Sequence, residues 1–187
     1  MEAQILRLNI AGQPIEWLNW QEAVTLYARD IVAWSLGEVV REVHGGICRA
    51  TGNRSCIQVP SIIASSGERL AKPRSTYPLN NKTLFARDEH LCMYCGNHFS
   101  EAELTRDHIV PLSRGGQDIW ENVVAACRRC NQHKGNLELQ HVGMELLAMP
   151  YRPNLAEYLA LLNDRRIRAD QMEFLSSQFS KNYRKVA

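Results

Sequence analysis

The chain lacks any run approaching roughly 18 uninterrupted apolar residues, so no membrane-spanning helix and no membrane partner are expected. It has little net charge, only +2 over 187 residues. It is therefore no polycation, and a nucleic-acid role has to rest on local basic patches. Aromatics are scarce at 7%, yet an apolar share of 45% is enough for a core, so wholesale disorder is not expected. The opening residues, MEAQILRLNIAGQPIEW, lack the basic head and apolar block of a secretory signal. A cytoplasmic, reducing location is expected, where cysteines more often bind metal than form disulfides. Internal repeats and low-complexity tracts are also missing. The length suits one ordinary domain, or a small domain with an appendage.

The cysteines that are present are clustered. Cys92 and Cys95 form one C-x-x-C in LCMYCG, and Cys127 and Cys130 form another in CRRC. Two residues between cysteines let both sulfurs reach one tetrahedral zinc at about 2.3 Å, and two such pairs close the coordination sphere. A closed sphere leaves no position for substrate, so this zinc is expected to be structural. The pairs are separated by residues 96–126, a longer gap than the roughly 15–20 residues of a simple ribbon. The insert must be a folded excursion that returns to the metal. Cys48 and Cys56 have looser spacing and read as ordinary thiols, with a second metal site there as the lesser alternative.

Along the chain, ILRLNI (5–10) alternates as a strand does, and AGQP is a turn. Residues 20–34 have helical spacing in their first part, at Ala23, Val24, Tyr27 and Ala28, with Asn19 as N-cap, and two short strands around an irregular loop are expected from about residue 38. Residues 69–87 carry Arg69, Lys72, Arg74, Lys82 and Arg87 without an acid and lead into a short helix at about 81–88. Two readings stay open for this stretch: a solvated linker, or a strip along phosphates. After residue 136, QHVGMELLAM, NLAEYLALLN and ADQMEFLSSQF have apolar residues at helical spacing.

Within the insert, Asp107-His108 and Asn122 stand out, followed by Asn131 and Lys134 just after the last cysteine. HIVPL is β-like, DIWENVVAAC returns the chain to the zinc, and CRRCNQHKG is a short helix ended by Gly135. Asn131 and Lys134 share a face of that helix. Asp, His and Asn are expected to converge on one place with the zinc behind them. Because neighbouring residues of a regular strand point to opposite faces, the strand is expected to end, bulge or bend at Asp107-His108.

RDHIVPLSRGG…ENVVAACRRCNQHKG resembles the HNH endonuclease family, in the subgroup with a four-cysteine zinc site, over about residues 84–136. Residues 1–80 are more softly similar to the leader on some bacterial and phage HNH proteins. The resemblance implies an α+β fold. A ββα-metal core would surround a four-cysteine zinc, flanked by an N-terminal α+β segment and C-terminal helices. The expected divisions are 1–80, 81–140 and 141–187. It further implies His108 as general base, Asp107 and Asn131 as ligands of a catalytic divalent metal, usually Mg²⁺, and Asn122 as a brace that orients His108. Lys134 and, more weakly, Arg106 would contact phosphate, as would Arg87 and Arg74 if the basic connector is the strip along phosphates.

The residue types suit such chemistry. An imidazole with an ordinary pKa near about 6.5 can accept a proton at working pH. Mg²⁺ prefers oxygen ligands and keeps several waters, so a carboxylate and an amide oxygen suffice. The insert offers no carboxylate cluster around Asp107, which points to one metal rather than two. The expected partner is double-stranded DNA, with a homodimer or a protein partner left open. A non-catalytic zinc module that binds nucleic acid and an RNA-cleaving nuclease stand as alternatives.

Overall fold

The computed structural model describes residues 3–47, 49–67, 77–164, 166–181 and 183. The chain mixes helices and strands and groups into two compact units. The first comprises Met1–Ser75 with Leu155–Phe179, the second Thr76–Asn154 with Ser180–Ala187.

In the first unit, strands β1 (Ile5–Asn9) and β2 (Pro14–Leu18) form an antiparallel hairpin. Its turn is closed by the Asn9 side chain, whose Oδ1 accepts from the Gln13 N–H at 2.9 Å. Helix α1 (Trp20–Ala28) starts at the expected cap: Asn19 and Glu22 satisfy each other's backbone N–H groups. It ends at Ala28, the last residue with the expected helical spacing, and Asp30 turns left-handed (φ 54°) as the chain enters a strand. The two strands expected to be short are long, β3 (Val32–Ile47) and β4 (Arg54–Ser65). The sheet order is β2-β1-β4-β3, with β1 parallel to β4 and the other pairs antiparallel.

Alternation along β1 and β4 gives this sheet two apolar faces. Leu6, Leu8, Ile62 and Ala64 pack with Ala156, Leu159, Ala160 and Leu175 of helices α5 (Leu155–Leu162) and α6 (Ala169–Ser176). Ile5, Val59 and Ile63 pack with Ala23 of α1. Gln171 of α6 donates to the backbone carbonyls of Gln4 and Ser61, both at 2.8 Å. Residues 155–176 thus cover the N-terminal sheet, whereas the sequence placed them in a separate C-terminal extension.

In the second unit, helix α2 (Asn81–Arg87) is capped by Asn80, whose Oδ1 accepts from the Thr83 N–H at 3.0 Å. Strands β5 (Leu104–His108) and β6 (Val123–Cys127) pair antiparallel in an unbroken register and lead into helix α3 (Arg128–Lys134). This is the expected ββα order. HIVPL is not a strand beyond His108: a 3-10 turn follows at Leu112–Arg114. The helix expected over QHVGMELLAM is a single turn, α4 (Leu139–Val142), cut off by left-handed Gly143. No helix among the described residues is long and apolar enough to cross a membrane.

Candidate active site

The four-cysteine frame is built from local geometry. Cys92 lies in a tight loop in which the Cys92 N–H donates to Asn97 O and the Gly96 N–H to Cys92 O, both at 2.9 Å. The Met93 N–H donates to Ala125 O at 2.8 Å and ties the loop to β6. Cys127 closes β6 and caps α3, its Sγ accepting from the Cys130 N–H at 3.4 Å. The donor atoms of Cys92, Cys95, Cys127 and Cys130 lie within 4.8 Å of one another. Tetrahedral zinc with sulfurs at about 2.3 Å wants them about 3.8 Å apart, so the four cysteines fit such an ion with small side-chain adjustments. Burial pushes the Cys92 thiol up, but backbone N–H groups of Cys127, Cys95 and Tyr94 more than offset this and bring it below the usual thiol range. Burial and the neighbouring thiols push Cys130 up.

The unbroken β5–β6 register divides the expected site between the two faces of β5. On one face Asp107 is 5% exposed. Its Oδ1 accepts from the Lys134 ammonium at 3.1 Å, and its Oδ2 accepts from the Tyr94 hydroxyl. Burial, and then the Asp107 carboxylate, push the Tyr94 hydroxyl far above the usual phenol range, so it stays a donor. Lys134 also donates to the His108 backbone carbonyl at 2.7 Å. Asn131 points its amide nitrogen at Thr105 Oγ1, 2.8 Å away.

On the other face the His108 ring is one-fifth exposed, and its Nε2 lies 2.8 Å from Asp118 Oδ1. Arg106 grips the same carboxylate through NH1 at 2.9 and 2.7 Å. Partial burial raises the Asp118 carboxyl, but the hydrogen bonds from Arg106 and His108 outweigh this and hold it below the usual carboxylate range. The expected convergence of Asp107, His108 and Asn131 on one point is therefore not found. β5 ends at His108, as expected, but keeps a regular register up to that residue, so alternation places Asp107 and His108 on opposite sides.

Asn122 sits where β5 gives way to loop. Its backbone carbonyl accepts from the Ile109 N–H and its Oδ1 from the Val110 N–H, both at 2.9 Å. Its Nδ2 donates to Val110 O at 3.0 Å and Gln117 O at 2.8 Å. One side chain thus holds the residues just after His108 and just before Asp118. Gly116 makes this closure possible, since a Cβ there would meet Val110 O at 1.8 Å.

Two expected phosphate contacts are corrected by burial. Arg87 is 4% exposed, with its guanidinium committed to Asp88 and to the carbonyls of Trp120 and Val123, both at 2.7 Å. Lys134 is 1% exposed and committed to Asp107. Both are interior cations that satisfy interior acceptors. Arg74 lies outside the described residues. The exposed basic side chains of α3 are instead Arg128 and Arg129, which line an open cleft with His133 and Phe99. Neither Asp118, nor Tyr94, nor these arginines stood out in the sequence. The only signal for Arg128 and Arg129 was their place between two cysteines of the cluster on a short helix.

Asp107 and Asn131 do not fit a catalytic cation as they stand. An ammonium and a hydroxyl already occupy both oxygens of Asp107, and Asn131 turns its amide nitrogen toward β5.

The unit is a ββα arrangement framed by four clustered cysteines, with a histidine at the end of its first strand. Residues 92–147 match the model of the HNH endonuclease family, and this segment belongs to that family. The chain is similar to the CRISPR-associated endonuclease Cas9 of Corynebacterium diphtheriae, at 48% identity over 46 residues. The match covers 24% of this chain and 4% of that protein. The solved Type II-C Cas9 enzyme from Actinomyces naeslundii overlaps 56% of this chain and 12% of its own, at 21% identity and a TM-score of 0.31.

Proposed function

We propose that the protein is an endonuclease that hydrolyses DNA phosphodiester bonds with His108 as general base. The observation that carries this reading is the His108–Asp118 hydrogen bond at the end of β5, in a segment of the HNH family. An ionised carboxylate only accepts, so a neutral His108 bonded to Asp118 carries its proton on Nε2. Nδ1 is then the acceptor that takes a proton from water as the oxygen attacks phosphorus. The imidazolium so formed is stabilised by the carboxylate 2.8 Å away. Asn122 is the brace that keeps the segments carrying His108 and Asp118 together. Arg128, Arg129 and His133 provide an exposed basic strip for the phosphate backbone. The four cysteines hold a structural zinc, and the nuclease core is taken as residues 81–140. A divalent cation such as Mg²⁺, where bound, supplies charge stabilisation at phosphorus and at the leaving oxygen. Asp107, bonded to Tyr94 and Lys134, is not its ligand.

Incubating the full chain with supercoiled plasmid, with and without Mg²⁺ or Mn²⁺, tests this. Nicked or linear product that disappears in His108→Ala is expected, while equal cutting by both proteins removes His108 as base. The occupied Asp107 favours a second reading, a zinc-stabilised module that binds nucleic acid without cutting it. That reading requires retardation of DNA in gels with no cleavage under any metal. Cutting of single-stranded RNA but not of plasmid would move the substrate to RNA.

A further inference from the structure

The outer part of the β3–β4 hairpin is a two-stranded ribbon. The pairing of β4 with β1 spans Ile62 to Ser65, and residues 54–58 pair only with β3 among the described residues. Residues 41–47 and 54–58 are mostly exposed. A two-stranded ribbon is marginal in water on its own and usually needs a further staple. One face of this ribbon carries an unusual set of side chains. His44 and Cys56 are directly opposite in the register, and Glu42 lies two residues before His44, hence on the same face. Cys56 Sγ sits 2.9 Å from Glu42 Oε1. The donor atoms of all three lie within 4.8 Å of one another.

We propose that Glu42, His44 and Cys56 form a second metal site, for a borderline-soft divalent cation such as Zn²⁺, that staples β3 to β4. Imidazole nitrogen, thiolate sulfur and carboxylate oxygen are the three donor types zinc accepts, and three protein donors leave a fourth position for water. Mg²⁺ and Ca²⁺ want oxygen donors and find one carboxylate here. The bland alternative is a thiol resting on a carboxylate. A thiol is a weak donor, so that contact adds little to an exposed ribbon and leaves the nearby imidazole unexplained. All three side chains are exposed, so closing from 4.8 Å to a tetrahedral spacing of about 3.5 Å takes only side-chain rotation. Binding breaks the Cys56 S–H bond and forms the metal–sulfur bond, and the proton leaves to buffer. The site is independent of the nuclease reading.

The test uses the full chain under a non-thiol reductant, equilibrated with Zn²⁺ and analysed for metal. Two zinc ions per chain are expected in the parent and one in Cys56→Ser and His44→Asn, with Glu42→Gln binding the second ion at least several-fold more weakly. Co²⁺ added to chain carrying one zinc should give thiolate-to-cobalt charge-transfer absorption that vanishes in Cys56→Ser. Because the three residues are exposed, circular dichroism of the variants at one zinc per chain should match the parent. One zinc per chain in the parent overturns the proposal, as does an undiminished second site in both Cys56→Ser and His44→Asn.

Discussion

On one face of β5 a carboxylate, Asp107, is buried against an ammonium and a phenol; on the other a carboxylate, Asp118, lies half in solvent against a guanidinium and an imidazole. The strand is too regular to mix the two faces. In the dry setting the pair Asp107–Lys134 is structural: breaking it strands a charge where water cannot compensate. In the wet setting the Asp118 pairs contribute little to stability, and what they fix is the direction of the His108 ring. Similar groups thus serve the fold on one face and suit chemistry on the other.

The largest effect should come from removing what separates the faces. Helix α3 covers the Asp107 side and is anchored through Cys127 and Cys130. With structural zinc, binding free energies of about 10–16 kcal/mol in small domains are folding free energy. A strong chelator, or Cys127→Ser, is expected to unfold the second unit and leave the first folded, as read by two separate transitions in thermal melts. Acid should act in the same direction, since each thiolate must regain a proton and zinc affinity falls as pH falls. A single unchanged melt after chelation would remove zinc from the fold.

Next in size is the buried pair. Lys134→Met should cost about 3–5 kcal/mol in urea unfolding at neutral pH, because Asp107 is left charged and buried. Adding Asp107→Asn should recover a large part of that loss, a coupling that a double-mutant cycle measures directly. If Lys134→Met leaves stability unchanged, the carboxylate is not held by the ammonium, and the two faces are alike after all.

What the sequence made legible, and what it hid, follows from range. The four-cysteine cluster was readable because C-x-x-C is a constraint over four residues, and the Asn19 cap and the Gly135 stop are equally local. Helices α5 and α6 were readable from their periodicity, but not their place on the N-terminal sheet, which depends on contacts such as Trp17 Nε1 to Leu159 O, 142 positions apart. Arg87 and Lys134 looked like phosphate contacts because composition does not tell an interior cation from a surface one. Asp118 was missed because its nearness to His108 is made by the Asn122 clamp, a closure that no spacing rule announces.

That clamp supplies the next perturbation. Gly116→Ala puts a methyl group on the Val110 carbonyl and must open the loop between His108 and Asp118. A loss of about 1–3 kcal/mol is expected, in the range of overpacked sites. Cleavage should fall further than the lost stability explains, because the ring loses its carboxylate. Cleavage that falls only in proportion to the folded fraction would mean that the loop does not position His108.

The smallest effect on stability should come from Asp118→Asn, and it is the most informative about function. The Asp118 side chain is half exposed, so the change should alter unfolding by no more than about 0.5 kcal/mol. Because the folded-state pKa is lowered, the stability Asp118 does contribute is present above its unfolded value, near about 3.9. It fades as pH falls through the depressed folded value. The variant should therefore lose a small part of the parent's acid sensitivity. An amide can donate as well as accept, so it no longer forces the His108 proton onto Nε2. General base catalysis contributes roughly 10²–10⁴-fold, so cleavage of plasmid should fall by a sizeable part of that while the melt barely moves. Unchanged cleavage would show that the wet face of β5 is as structural as the dry one.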